Sequence, residues 1–265
     1  MTATDGGAGD GASSSLVHLD VGGGVATITL DSPSNRNALS RRLVGELRSH
    51  LDNASATDEV RVIVLTHTGG TFCAGADLAE AVEHGMEEGT RSLLALLRQI
   101  VALPTPVLGV VDGHCRAGGV GLVGACDLVV AGATSTFAFT ESQLGLAPAI
   151  ISLTTRSRLS DRDAADKYLS GAVFGAEEAT RIGLVSRAAA EGELEAAVAE
   201  TLAGLRAASP QGLRETKALL NAPLLARIES DGDALVALSA RLFASEEARE
   251  GMTAFKERRK PRWAL

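Results

Sequence analysis

Twice in this 265-residue chain a continuous β-branched, apolar run leads into a glycine-rich segment. Val60–Thr66 precedes Gly69-Gly70-Thr71-Phe72-Cys73-Ala74-Gly75-Ala76-Asp77, and Val107–Val111 precedes Ala117-Gly118-Gly119-Val120-Gly121. A strand with no polar face is buried on both sides, as in a parallel sheet covered by helices. Between the two runs the chain predicts a helix over about Arg91–Ala102, ended by Pro104 and Pro106. Upstream, Leu16–Leu19 and Val25–Leu30 flank Gly22-Gly23-Gly24 and predict a hairpin. Ser34–Ala38 reads as a turn, and Leu39–Leu51 as an amphipathic helix with Leu39, Leu43, Leu47 and Leu51 on one face. Short strands are expected at Asp127–Ala131 and Phe137–Phe139. Strand, strand, helix in loose repetition defines an α/β chain with right-handed crossovers.

From about Ile150 the pattern is nearly all helical. Gln211–Leu220, Leu224–Phe243 and Glu246–Phe255 predict three helices beyond a boundary at Pro210. Their apolar faces are large for so small a unit and need cover from elsewhere, such as another subunit. The division expected is a flexible Gly/Ser/Ala-rich tail at 1–15, a core at 16–209 and a helical oligomerisation region at 210–265. Aromatics are only 3% of the chain, so Ala, Val, Leu and Ile must build the core.

The charge balance, 25 basic against 33 acidic side chains, argues against a general nucleic-acid binder. No apolar run reaches the length of a membrane span, and the first residues lack a signal-peptide pattern. Cys73, Cys115 and Cys126 are odd in number and form no CxxC pair, which points to a reducing, cytoplasmic setting without a disulfide framework.

Gly119-Val120-Gly121-Leu122-Val123-Gly124 fits GxGxxG, but the next strand begins too soon for a dinucleotide-binding crossover. The alternative is that these glycines let a helix start approach a neighbouring segment or a ligand. His67 with Cys73, and His114 with Cys115, lack zinc-site spacing. Cys115 precedes a helix start, where a thiol pKa can fall. The glycine segments around Ala76 and Gly118 both follow buried strands. They are either two structural turns or two backbone N–H donors converging as an oxyanion hole.

Six segments, in order, resemble the crotonase (enoyl-CoA hydratase/isomerase) superfamily. They are the turn from Pro33 to Leu39 containing Asn37-Ala38-Leu39, the loop Phe72–Leu78, the loop Val111–Leu122, and Ala125-Cys126-Asp127-Leu128. Glu177–Val185 and Glu250–Phe255 complete the set. The resemblance implies a spiral of repeated ββα units with a C-terminal helical trimerisation layer, assembled as a homotrimer or as a hexamer of two trimers. It implies an acyl-CoA substrate, with coenzyme A entering as part of that substrate and no separate cofactor. It maps the oxyanion donors onto Ala76 and Gly118, and substrate contacts onto Arg36, Ala74, Asp77, Leu78 and Phe255.

Family hydratases typically carry two glutamates. The first position is here Gly121; the second is Glu141, within Phe139–Gly145. Some members with only the second glutamate are isomerases, and others still add water. Asp112, His114 and Arg116 stand in the neighbouring loop as partial substitutes. Ala79 occupies a position where some members place a lysine near the CoA phosphates. The basic tail Lys256, Arg258, Arg259, Lys260 and Arg262 is either a substitute for it or a solvated charge run. The expected activity is hydration of an enoyl-CoA in fatty-acid-type degradation, with Glu141 catalytic. The alternatives are 3-enoyl to 2-enoyl isomerisation and acyl-CoA binding without catalysis.

Overall fold

A computed structural model of the chain describes residues 15–77, 79–80 and 86–265. The expected tail at 1–15 falls outside these residues, apart from Ser15, as does Leu78. The strands form two sheets. The larger has the order β1-β2-β3-β5-β7-β10, built from β1 (Val17–Gly22), β2 (Val25–Leu30), β3 (Val62–His67), β5 (Val107–Val111), β7 (Leu128–Ala131) and β10 (Arg187–Ala188). Apart from the antiparallel β1–β2 hairpin, its pairings are parallel. The smaller sheet has the order β4-β6-β8-β9, from β4 (Thr71–Cys73), β6 (His114–Arg116), β8 (Thr136–Ala138) and β9 (Phe174–Gly175). The chain visits the large sheet, crosses to the small one and then turns into a helix, which is the ββα repeat.

The apolar runs follow from burial on both faces. Val62, Val64, Leu108 and Val110 face a core that also holds Ala197. Ile63, Leu65, Val107 and Val111 face the main core, with Leu43, Leu47 and Leu51 of α1 (Arg41–Ser55) and Leu96, Leu97 and Ile100 of α2 (Glu87–Ala102). The Ser40 hydroxyl caps α1 by accepting from the Leu43 N–H at 3.2 Å. Helix α3 (Gly118–Ala125) follows β6 and is buried at every residue.

After Glu141 the helices are α4 (Ser152–Thr155), α5 (Asp161–Ser170), α6 (Ala176–Arg181), α7 (Leu194–Ala207), α8 (Pro210–Phe243) and α9 (Glu246–Lys256). The two helices expected over 211–220 and 224–243 are one helix, α8, with Pro223 inside it. A proline normally breaks such a helix. Here the buried seam Lys217, Asn221, Leu224, Ile228, Gly232, Val236 and Ser239 runs through the proline, so packing overrides the local signal. The seam is covered within the chain by α2. An added Cβ at Gly232 would lie 3.0 Å from Leu94 Cδ2, and Lys217 Nζ donates to Ile100 O at 3.0 Å. Among the described residues, no helix is long and apolar enough to cross a membrane.

Candidate active site

The three chemical segments leave β4, β6 and β8, which are parallel neighbours, at the same end of the small sheet. Strand ends in parallel α/β folds place several loops side by side, and ligands bind there. The loop after β4 is held from below by the turn at Pro33–Leu39. Asn37 is wholly buried; its Oδ1 accepts from Ser32 N at 2.7 Å, and its Nδ2 donates to Thr71 O at 2.8 Å. Leu39 N then donates to Gly75 O at 2.8 Å, and Ala74 N to Arg36 O at 3.1 Å. The Leu39–Gly75 bond leaves the Ala76 amide outside that pairing.

Gly75 has φ +93°, and a Cβ there would lie 3.2 Å from the Gly118 amide nitrogen. A Cβ on Gly118 would lie 3.7 Å from the Ala76 amide nitrogen and 2.9 Å from Leu39 Cδ1. Only glycines let the two segments approach so closely. Gly118 is the first residue of α3, so its N–H has no acceptor within the helix. The preceding Ala117 is held at φ 46°, ψ −118°, a strained backbone for a residue with a Cβ. The structure thus brings the Ala76 and Gly118 amides together.

Ala117 N donates to Ala138 O at 3.0 Å, so the segments leading to Gly118 and to Glu141 leave the small sheet side by side. Glu141 opens a 3₁₀ turn, Glu141–Leu144. It is only 9% exposed, and its Oε2 is buried without a hydrogen-bond partner. Burial raises its carboxyl to about 7, partly opposed by a bond from its own backbone N–H. The aromatic wall beside it is wholly buried Phe139, whose ring centroid lies 4.6 Å from that of Tyr168. The Tyr168 hydroxyl bonds Thr155 Oγ1 at 2.5 Å, and its titration feels the Glu141 charge.

Gly121 cannot be exchanged for a glutamate in this fold. A Cβ there would lie 2.5 Å from Ile151 Cγ2 and 3.0 Å from Ile151 Cβ, and Ile151 is itself 3% exposed. Gly124 meets α4 likewise, at 2.8 Å from Thr155 Cγ2. The GxGxxG glycines therefore serve close packing in an eight-residue helix. Ile151 was not legible as a site residue, because nothing in an apolar run marks which member faces Gly121. Tyr168 was missed for want of a motif around it.

Two expectations are corrected, the loop residues as substitutes for a second glutamate and the lowered Cys115 pKa. Asp112, His114 and Arg116 do not join Glu141. His114 pairs with Thr136 at the opposite end of β6 and β8, its Nδ1 lying 2.8 Å from Thr136 Oγ1. The Arg116 guanidinium turns back to Thr136 O at 2.7 Å, and Asp112 N donates to His67 Nε2 at 3.1 Å. Burial drives the Cys115 thiol well above its ordinary value, the reverse of the lowered pKa expected beside a helix start. The nearby helix start does not offset complete desolvation. Asp77 has both oxygens engaged in the fold: Oδ1 accepts from Ala79 N at 3.0 Å, and Oδ2 accepts from Asn35 Nδ2 at 3.4 Å. Arg36 is exposed on its turn and Phe255 is 54% exposed on α9. In the basic tail, Arg259 is committed to Glu250 at 2.7 and 3.0 Å, which draws that carboxyl down to about 2.

The chain belongs to the enoyl-CoA hydratase/isomerase family, whose model matches residues 20–264, within the crotonase superfamily. An enoyl-CoA hydratase from Mycobacterium avium has a crystal structure that superposes with a TM-score of 0.89 at 50% identity, covering 95% of this chain and all of that one. A Thermus thermophilus protein with a provisional enoyl-CoA hydratase name is 38% identical over 251 residues, 91% of this chain and 98% of that protein. The mevalonyl-coenzyme A hydratase of Aspergillus fumigatus is 34% identical over 247 residues, 90% of this chain and 91% of that one.

Proposed function

We propose that this enzyme hydrates an enoyl-CoA thioester, with Glu141 as its one proton-transferring group and the Ala76 and Gly118 amides as donors to the thioester oxygen. The observation that carries this reading is the buried, unpartnered Glu141 Oε2, on a strand-end loop of the same small sheet as the adjoining Ala76 and Gly118 amides. Water oxygen bonds to the β-carbon while one water proton passes to the Glu141 carboxylate. The double-bond electrons move onto the thioester oxygen as an enolate, held by the two amides. Glu141 then gives a proton to the α-carbon and returns to its starting state. A carboxyl titrating at about 7 is suited to both halves of this exchange at neutral pH. Coenzyme A enters as part of the substrate.

A second reading, 3-enoyl to 2-enoyl isomerisation, is favoured by Ile151 filling the space over Gly121. One carboxylate suffices there: it takes the α-proton, a dienolate forms, and the proton returns at the γ-carbon. Incubation with 2-enoyl- and 3-enoyl-CoA thioesters, read by mass spectrometry, decides between them. Gain of one water supports hydration, and an unchanged mass with a displaced double bond supports isomerisation. Tight CoA-ester binding without turnover overturns both. Gly118→Pro removes one amide donor but also sets a Cβ 2.9 Å from Leu39 Cδ1, so the expected loss of about 10²–10³-fold in turnover is read beside circular dichroism that shows the parental fold.

A further inference from the structure

Glu141 poses a positioning problem. Its Oε2 has no partner and the carboxyl accepts from its own backbone N–H, so it is aimed by the backbone of its turn. That turn is gripped from two sides. From α5 come bonds to the turn's polar side chains: Gln143 Nε2 donates to Ser170 O at 3.0 Å and Ser142 Oγ to Leu169 O at 3.3 Å. From the other side comes α9, and there the contact is backbone on backbone. A Cβ on Gly251 would collide with the Leu144 carbonyl. A Cβ on Gly145, whose φ is +73°, would lie 2.7 Å from the Glu247 carbonyl carbon and 2.9 Å from Ala248 N. Ala248, Gly251 and Ala254, three residues apart, are the buried stripe of α9. No flexible side chain intervenes to absorb a shift, so any displacement of α9 is passed directly to the turn.

We propose that Gly251 is a positioning residue for Glu141: by letting α9 seat directly on the Leu144 carbonyl, it sets where the turn places the catalytic carboxyl. This rests on the role of Glu141 proposed above. The Gly145–Gly251 interlock makes the C-terminal helix part of the proton-transfer apparatus without touching substrate. Its far end is fastened by Glu250, which holds Arg259 and accepts from Arg262 N at 2.9 Å.

The test compares the parent with Gly251→Ala, Ala248→Gly and Glu141→Gln, measuring kcat and KM from about pH 5 to about pH 9 and following thermal unfolding. The ionisable groups around the turn are Tyr168 of α5, with Arg156 and Arg227 beside it, and Glu247 and Glu250 on α9. The shift of Glu141 itself comes from burial. Gly251→Ala should push the turn outward, cutting kcat about tenfold or more with KM changed less than about twofold. Opening the pocket to water should move the carboxyl midpoint of the kcat profile from about 7 toward its ordinary 4.5. Ala248→Gly introduces no clash and loosens the same seat, so it should move both readouts the same way by a smaller factor. A folded Gly251→Ala protein with the parental kcat, or with lowered kcat and an unmoved midpoint, overturns the proposal. If Gly251→Ala does not fold, Ala248→Gly decides by the same two readouts. Full activity in Glu141→Gln overturns the reading of Glu141 and this proposal together. An inactive Glu141→Gln beside an unperturbed Gly251→Ala overturns this one alone.

Discussion

Between its ordinary value of 4.5 and its value of about 7 in the fold, the Glu141 carboxyl holds a proton that the unfolded chain has lost. The native state therefore binds more protons in that window, and its stability falls as pH rises through it. Glu141→Gln removes this dependence. Its stability should draw ahead of the parent's as pH climbs from about 5 to about 8, by at most about 3 kcal/mol, read as a widening gap between the two melting temperatures. Parallel melting curves would contradict the burial. In turnover the same variant should lose on the order of 10²–10⁴, with CoA-ester binding little changed. Gly121→Glu is the complementary case. The clash with Ile151 predicts a destabilised protein with no gain in hydration, and only Gly121→Glu with Ile151→Gly makes room for a second carboxyl. Faster hydration by the single variant would sink the packing argument. At this scale the sequence exposed Glu141 and the glycines around Ala76 and Gly118, because glycine next to a buried strand signals close approach. It hid Ile151, whose importance lies in a contact between segments thirty positions apart.

Among elements, the strands were legible where both faces are buried. Val62–His67 and Val107–Val111 read as continuous apolar runs because alternate residues fill two cores. Strands β9 and β10, two residues each, carry no periodicity at all. Helix α8 reads from sequence as two helices, 211–220 and 224–243, because the seam that runs unbroken through Pro223 is tertiary and leaves no local signal. The anchor of that seam is polar. Lys217 Nζ lies 2.7 Å from Asp127 Oδ2, and Asn221 Nδ2 donates to Asp127 Oδ1 at 3.0 Å, deep under the helix. Removing one partner of a buried pair leaves the other charge uncompensated. Lys217→Met should therefore cost about 3–5 kcal/mol in urea unfolding, more than any exposed ion pair of the chain. A loss below about 1 kcal/mol would show that the pair is not what holds α8 to the turn between α3 and β7.

At the scale of the whole molecule, α8 has two faces and only one of them is covered. Leu224, Ile228 and Val236 belong to the main core, so deleting the chain from Pro210 would strip that core and could not report on assembly. The informative residues are Leu219 and Leu220, adjacent on α8 and 78% and 74% exposed. Neighbouring leucines left in water are poor economy for a monomer, and each gains about 1.5–3 kcal/mol when a partner covers it. We propose that this face of α8 meets a second copy of the chain in a homotrimer, or in a hexamer of two trimers. In a closed ring every copy buries the same pair, so the gain is repeated at each interface. Leu219→Glu with Leu220→Glu places charges in those interfaces while leaving the seam to α2 untouched. Light scattering at micromolar concentration should give a trimeric or hexameric mass for the parent and a monomeric mass for the variant, with circular dichroism unchanged. A monomeric parent removes the proposal outright, and an unshifted variant moves the interface to another surface. The seam and the exposed pair occupy different sides of one helix, so the substitution can separate assembly from folding where truncation cannot.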